Sequence, residues 1–138
     1  MITQPQRTLS TQRMKECTKT LTETVIVCAI EVHRTLGPGL LESTYETCLA
    51  YELSINNIPF KRQQPIPVQY KNIQLDCGYR LDILVNDCLI LELKSVSKVL
   101  KVHEAQILTY LKLANISTGL LINFNNTTLV SGIKRFKI

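Results

Sequence analysis

None of the five cysteines in this sequence, at positions 17, 28, 48, 77 and 88, stands in a CxxC pair, and their number is odd. Neither a disulfide framework nor a zinc or iron–sulfur site has that pattern. The thiols are therefore expected to be reduced, as in a cytoplasm. No apolar run approaches the length of a membrane-spanning helix. The first twenty residues are polar and basic without an apolar core, which argues against a signal peptide. There is no internal repeat and no low-complexity block, so a repeat array is excluded.

What is present suits one domain. A chain of 138 residues is long enough to bury most of its apolar surface without metal or disulfide staples. We read residues 1–15 as a flexible tail and 16–138 as a single domain. Sixteen Lys plus Arg against eleven Asp plus Glu give a formal charge of +5. That balance permits a polyanionic partner without demanding one.

The stretch that organises the chain runs from Cys77 to Lys94, CGYRLDILVNDCLILELK. Its odd positions are apolar (Cys77, Tyr79, Leu81, Ile83, Val85, then Leu89, Leu91, Leu93) and its even positions carry charge. Period two means strands, each with one oily face and one partly polar face. Asn86-Asp87 marks the turn between them. For both oily faces to lie on one side of an antiparallel pair, odd residues must face odd ones. A plain two-residue turn would pair Val85 with Cys88 and fails this test. A connection of three or five residues, or a bulge, sets Asp82 directly or diagonally across from Glu92, with Lys94 on their face. The bland reading of these charges is a salt bridge from Lys94 to either acid on a solvated sheet face.

Upstream, Leu21, Val25, Cys28, Ala29, Val32 and Leu36 recur at three and four, which predicts a helix from about Cys17 to Gly37-Pro38-Gly39. A second helix carries Leu41, Tyr45, Cys48, Leu49 and Leu53. Glu42 lies in its first turn, where an acid also suits the helix dipole. Residues 60–70 hold two prolines among β-formers and read as an edge strand. The central strands span roughly 74–85 and 89–95. A helix from about Lys98 to Ala114, capped by Ser95 or Ser97, puts His103, Gln106 and Tyr110 on one face. Strands at 118–125 and 128–138 close the chain. The order ααβββαββ predicts a mixed α/β (α+β) fold, a central mixed sheet of about five strands flanked by helices.

Two carboxylates across a strand pair make a hard-oxygen site for Mg²⁺. Such an ion can activate water and hold a scissile phosphate, while a nearby ammonium balances charge. Asp82, Glu92 and Lys94 have the required types. Glu42 is the candidate third acid, with Tyr45 on the same helix face. Arg80 either binds phosphate or neutralises the acids. Gln106 and Tyr110 also fit a plain helix surface, and His33 and His103 are expected to be structural or exposed.

Asp82 followed at a spacing of ten by Glu92-Leu93-Lys94 resembles the PD-(D/E)xK nuclease superfamily. Gly39-Leu40-Leu41-Glu42-Ser43-Thr44-Tyr45 is similar to the signature of the small GxxExxY family. Gln106-Ile107-Leu108-Thr109-Tyr110 resembles the QxxxY motif of lambda-exonuclease-like members. The motifs fall in the family's order, and the resemblance covers about residues 17–138. Leu81 stands where the superfamily's name has proline. The resemblance implies a restriction-endonuclease-like core and Mg²⁺, replaceable by Mn²⁺, held by Asp82, Glu92, Glu42 and the Leu93 carbonyl. It places Lys94 at the attacking water and has Gln106 and Tyr110 position Lys94 or contact a DNA phosphate; Tyr45 and Arg80, by their places beside Glu42 and Asp82, are read as further substrate contacts. The implied protein is a DNA-cleaving enzyme; the thiols and the hydropathy add a cytoplasmic location without membrane association, and a chain this small, covering little DNA, suits a homodimer with two active sites. The alternative is a nuclease-fold module that binds nucleic acid or a protein partner without cutting.

Overall fold

The structure, a computed structural model, describes residues 17–138, so the expected tail at 1–15 lies outside the described residues. Helix α1 (Lys19–Leu36) starts where the Thr18 side chain accepts a hydrogen bond from the Leu21 amide at 3.0 Å, an N-cap. It ends at Gly37, whose φ of 73° suits a residue without Cβ. Its buried face is Val25, Cys28, Ala29 and Val32. Helix α2 (Glu42–Ile55) buries Tyr45, Leu49 and Leu53, following the three-and-four pattern of the sequence.

Five strands form the main sheet: β1 (Phe60–Pro65), β4 (Arg80–Val85), β5 (Leu89–Lys94), β6 (Thr118–Asn123) and β7 (Ile133–Lys137), in the order β1-β4-β5-β6-β7. Strands β1 and β7 are its edges. The β5–β6 pair is parallel and all others are antiparallel. A parallel pair needs a crossover, and helix α3 (Lys101–Ala114) supplies it. A separate hairpin, β2 (Val68–Tyr70) with β3 (Ile73–Leu75), stands outside the sheet. This mixed sheet with three flanking helices is a restriction-endonuclease-like architecture.

The central hairpin has the register that parity requires. Val85 faces Leu89, Leu84 faces Ile90 and Ile83 faces Leu91. Three residues connect them: Asn86 and Asp87 take positive φ of 50° and 55°, and the Cys88 amide donates to the Val85 carbonyl at 3.0 Å. The left-handed pair matches the strand twist, and Cys88 is the extra residue that restores odd-to-odd pairing.

Four expectations are corrected. The even face of the hairpin is not half-solvated: Leu84 and Ile90 are buried with Ile107 and Leu111 of α3. Ile83, Leu89 and Leu91 pack on the other side with α1 and α2. Helices on both faces require apolar residues of both parities. Second, the strand expected at 74–85 is broken. Gly78 takes a φ of 79°, so Ile73–Leu75 turns away to pair with β2, and Tyr79 is left 46% exposed. The alternation also fails at Leu81, which packs in the α3-side core with Ile66. Across from Asp82, Gln63 has a φ of 51° and drops out of the β1 ladder.

Third, α3 begins later than expected and is not capped by serine. The His103 ring accepts the Leu100 amide at Nδ1, 3.0 Å away. Fourth, Cys17 and Cys88 are joined in a disulfide, with Cα atoms 5.5 Å apart, against the expectation that all five thiols are reduced. Only Cys28, Cys48 and Cys77 are free. Spacing in the sequence carries no sign of a pair separated by 71 residues.

Candidate active site

The acids of the central hairpin meet where its backbone ladder stops. Beyond the Ile83–Leu91 pair, the Asp82 amide donates to Glu92 Oε2 at 3.2 Å, and the Leu93 amide donates to Asp82 Oδ2 at 2.8 Å. Each carboxylate thus takes over a bond that a backbone carbonyl would otherwise make. The two side chains lie at one place between the strands, as the register implies. The Lys94 carbonyl accepts from Phe124 at 2.8 Å on the β6 side. Alternation along β5 therefore aims the Leu93 carbonyl toward β4, into the same gap.

Burial makes this pair electrostatically unstable as two anions. Glu92 is only 4% exposed, and desolvation, then the charge of Asp82, push its pKa up to about 8. The Asp82 carboxyl is also raised, by burial first, against the lowering effect of the Leu93 amide, with the charges of Glu46 and Glu42 adding to it. Near neutral pH the pair therefore retains a proton when nothing cationic is bound.

Lys94 does not resolve the conflict by pairing. Among the described residues the ion pairs are Glu31–Arg34, Lys61–Asp87, Arg62–Glu46 and Lys134–Glu104. The bland salt bridge of the hairpin charges is thus not formed. The ammonium still lowers the pKa of both acids from a distance. It lines a cavity of about 750 Å³ together with Gln106 and Tyr110. There Gln106 Nε2 donates to the Tyr110 hydroxyl at 3.0 Å. Tyr110 is buried, and desolvation followed by the charge of Glu92 raises its pKa.

Glu42 stands beside the acids without joining them. As the first residue of α2 it is exposed, and its Oε2 accepts the Ser95 amide at 3.3 Å, just past the end of β5. The Ser95 hydroxyl donates to the Leu40 carbonyl at 2.5 Å, so this loop and the α2 start hold each other. The charge of Glu42 raises both acids, least among the causes. Among the described residues no group of three or more His, Cys, Asp or Glu has metal-ligand geometry. The oxygen donors that this arrangement brings to one gap are the Asp82 and Glu92 carboxylates and the Leu93 carbonyl, groups of the kind a hard cation could take.

Tyr45 is not at the site. Fully buried, it stacks on Phe124 with centroids 4.5 Å apart. Its hydroxyl donates to the Gly37 carbonyl at 2.6 Å and accepts the Leu40 amide at 3.1 Å. That clasps the Gly-Pro-Gly loop ahead of Glu42. Arg80 is exposed at the start of β4 and in none of the ion pairs. His33 is structural, its Nε2 bonded to the Asn126 carbonyl at 2.8 Å. Sequence reasoning missed Glu46, which is buried, bonded to Arg62 and Gln63 at 3.0 and 2.8 Å, and felt by Asp82. Its signal was its place one helical turn after Glu42.

A family model described as the PD-(D/E)XK nuclease superfamily matches residues 19–136. No curated protein and no solved structure matches the chain.

Proposed function

The chain belongs to the PD-(D/E)XK nuclease superfamily, and from that premise we propose that it hydrolyses phosphodiester bonds in DNA with Mg²⁺, or Mn²⁺ in its place. Membership carries nuclease-type activity; the cation and the DNA substrate are our reading. The observation that supports it most is the Asp82–Glu92 pair. Glu92 is buried with Asp82 half-buried beside it, the pair holding a proton up to about pH 8, and among the described residues no cationic side chain lies within ion-pair distance. A fold tolerates such a pair where a divalent ion takes the proton's place.

A bound divalent cation supplies the charge that lowers the pKa of a water and neutralises a phosphate oxygen. In this chain Asp82, Glu92 and the Leu93 carbonyl would hold it. Lys94 orients the attacking water and balances the charge of the pair. Glu42 adds negative charge, and while its Oε2 holds the Ser95 amide its Oε1 stays open to a cation. Gln106 and the Tyr110 hydroxyl position Lys94 or a phosphate oxygen, and Arg80 meets the backbone of the substrate. Tyr45 we assign to positioning Glu42, because its hydroxyl is engaged within the fold.

The test is incubation of plasmid, linear, single-stranded and branched DNA with Mg²⁺ or Mn²⁺, beside Asp82→Ala and Lys94→Ala. Wild type should cut at least one form, and both variants should lose that activity. Equal behaviour of wild type and variants would sink the enzyme reading and leave a module that binds without cutting.

A further inference from the structure

Next to the acids, the cavity between α3 and the β2–β3 hairpin has a composition that cleavage alone does not require. Val68, Tyr79, Lys94, Gln106, Tyr110 and Leu113 line it. Its volume of about 750 Å³ falls within the range of small-ligand cavities, about 300–1,000 Å³. A nucleotide enters such a space; a paired duplex does not. The walls are mostly apolar and aromatic, and Lys94 supplies the one ammonium of the lining, its charge reaching both Asp82 and Glu92. Tyr79 is the exposed ring, at 46%, and it leans on the buried Tyr110 with centroids 6.2 Å apart and planes tilted by 53°. Tyr79 is thereby held beside Tyr110, with nearly half of its surface left to solvent.

We propose that this cavity receives an unpaired nucleobase of the substrate strand, stacked on Tyr79, while the adjoining phosphate lies at Lys94 and the acids. The proposal rests on the nuclease reading for the place of the phosphate. A flat aromatic group joined to an anion matches a largely apolar, aromatic cavity with one ammonium in its lining. Aromatic side chains hold unpaired bases by stacking, and every base has a π-face, so no particular sequence is required. Duplex DNA, whose bases are already stacked, gains nothing from Tyr79. The enzyme should therefore prefer single-stranded tails, gaps or frayed ends to continuous duplex.

Fluorescence anisotropy in Ca²⁺, used to limit hydrolysis, tests this with three labelled DNAs: a blunt duplex, the duplex with a single-stranded tail, and the duplex with an abasic tail. The abasic tail has the same phosphates and no bases. Wild type should bind the base-bearing tail about 5- to 150-fold tighter than either other DNA, the range expected for stacking one base. Tyr79→Ala should erase that difference and leave blunt-duplex affinity unchanged, and Tyr79→Phe should retain it. Equal affinity for the base-bearing and abasic tails, or a preference that survives Tyr79→Ala, overturns the proposal. The two readings fail separately. Cleavage of DNA without the preference removes the base pocket only, whereas the preference without cleavage removes the nuclease reading only.

Discussion

Glu92 Oε2 accepts the backbone amide of Asp82 at 3.2 Å, so the residues read as cation ligands also tie the two central strands together. Structure and chemistry therefore share one pair of carboxylates, and changes in charge there should register in stability as well as in activity.

In the absence of divalent ions, stability should fall as pH rises from about 5 to 8. The folded-state pKa of Glu92 is about 8 against an ordinary 4.5, and Asp82 is raised too. The folded protein then holds protons that the unfolded chain has released, so the stabilising contribution is complete below the ordinary value and lost as pH passes 8. Melting in EDTA across this range measures it. Mg²⁺ should reduce the slope, and Asp82→Asn should lessen it without abolishing it, because the like charge goes while burial, the larger cause, remains. A melting temperature independent of pH in EDTA would contradict the coupled, buried pair.

Lys94→Met should lower cleavage by about 10²- to 10³-fold, the usual cost of removing one preorganised charge from an active site, while changing stability little. No ion pair is lost, because Lys94 has no carboxylate within ion-pair distance among the described residues. Single-turnover cleavage and chemical denaturation of the same sample separate the effects. A large loss of stability with activity retained would restore the salt-bridge reading.

Reduction of the Cys17–Cys88 disulfide should destabilise the protein by about 4 kcal/mol on the chain-entropy account of a loop this long. Urea denaturation with and without dithiothreitol gives the value, and Cys17→Ser should reproduce it without reductant. Coincident denaturation curves would mean that the two sulfurs are not bonded in solution.

Tyr45→Phe removes one hydroxyl and leaves the Gly37 carbonyl and Leu40 amide without that partner. The expected cost is about 1–3 kcal/mol, with a modest fall in cleavage through a looser Glu42. If Tyr45 instead contacted DNA, substrate affinity would fall and stability would not, which denaturation and anisotropy together distinguish.

The local parts of this fold were legible in the sequence, and the distant parts were not. Odd-to-odd pairing of the hairpin follows from residues within one turn of chain, so Val85 facing Leu89 could be derived. The second core was also written there, in Leu84 and Ile90, but alternation draws attention to only one face. The break at Gly78 was hidden because Cys77, Tyr79 and Leu81 continue the alternating pattern through it. Ser95 looked like a helix cap from its neighbours, yet its partners, Leu40 and Glu42, lie more than fifty positions away. Glu46 went unnoticed for the same reason, since only the folded chain brings it within range of Asp82.

The edges of the sheet bear on self-association. Strand β1 presents Lys61 and Arg62 to solvent and ends on Pro65, and β7 exposes Lys134, Arg135 and Lys137. Cations along an unpaired rim repel a second rim of the same kind, and proline withholds a donor. Two copies joined by extending one continuous ladder would set these rows of positive charge against each other. With Lys61, Arg62 and Lys134 already paired to Asp87, Glu46 and Glu104, the cations left without an ion pair on these rims, among the described residues, are Arg135 and Lys137, so β7 is the edge this charge guards.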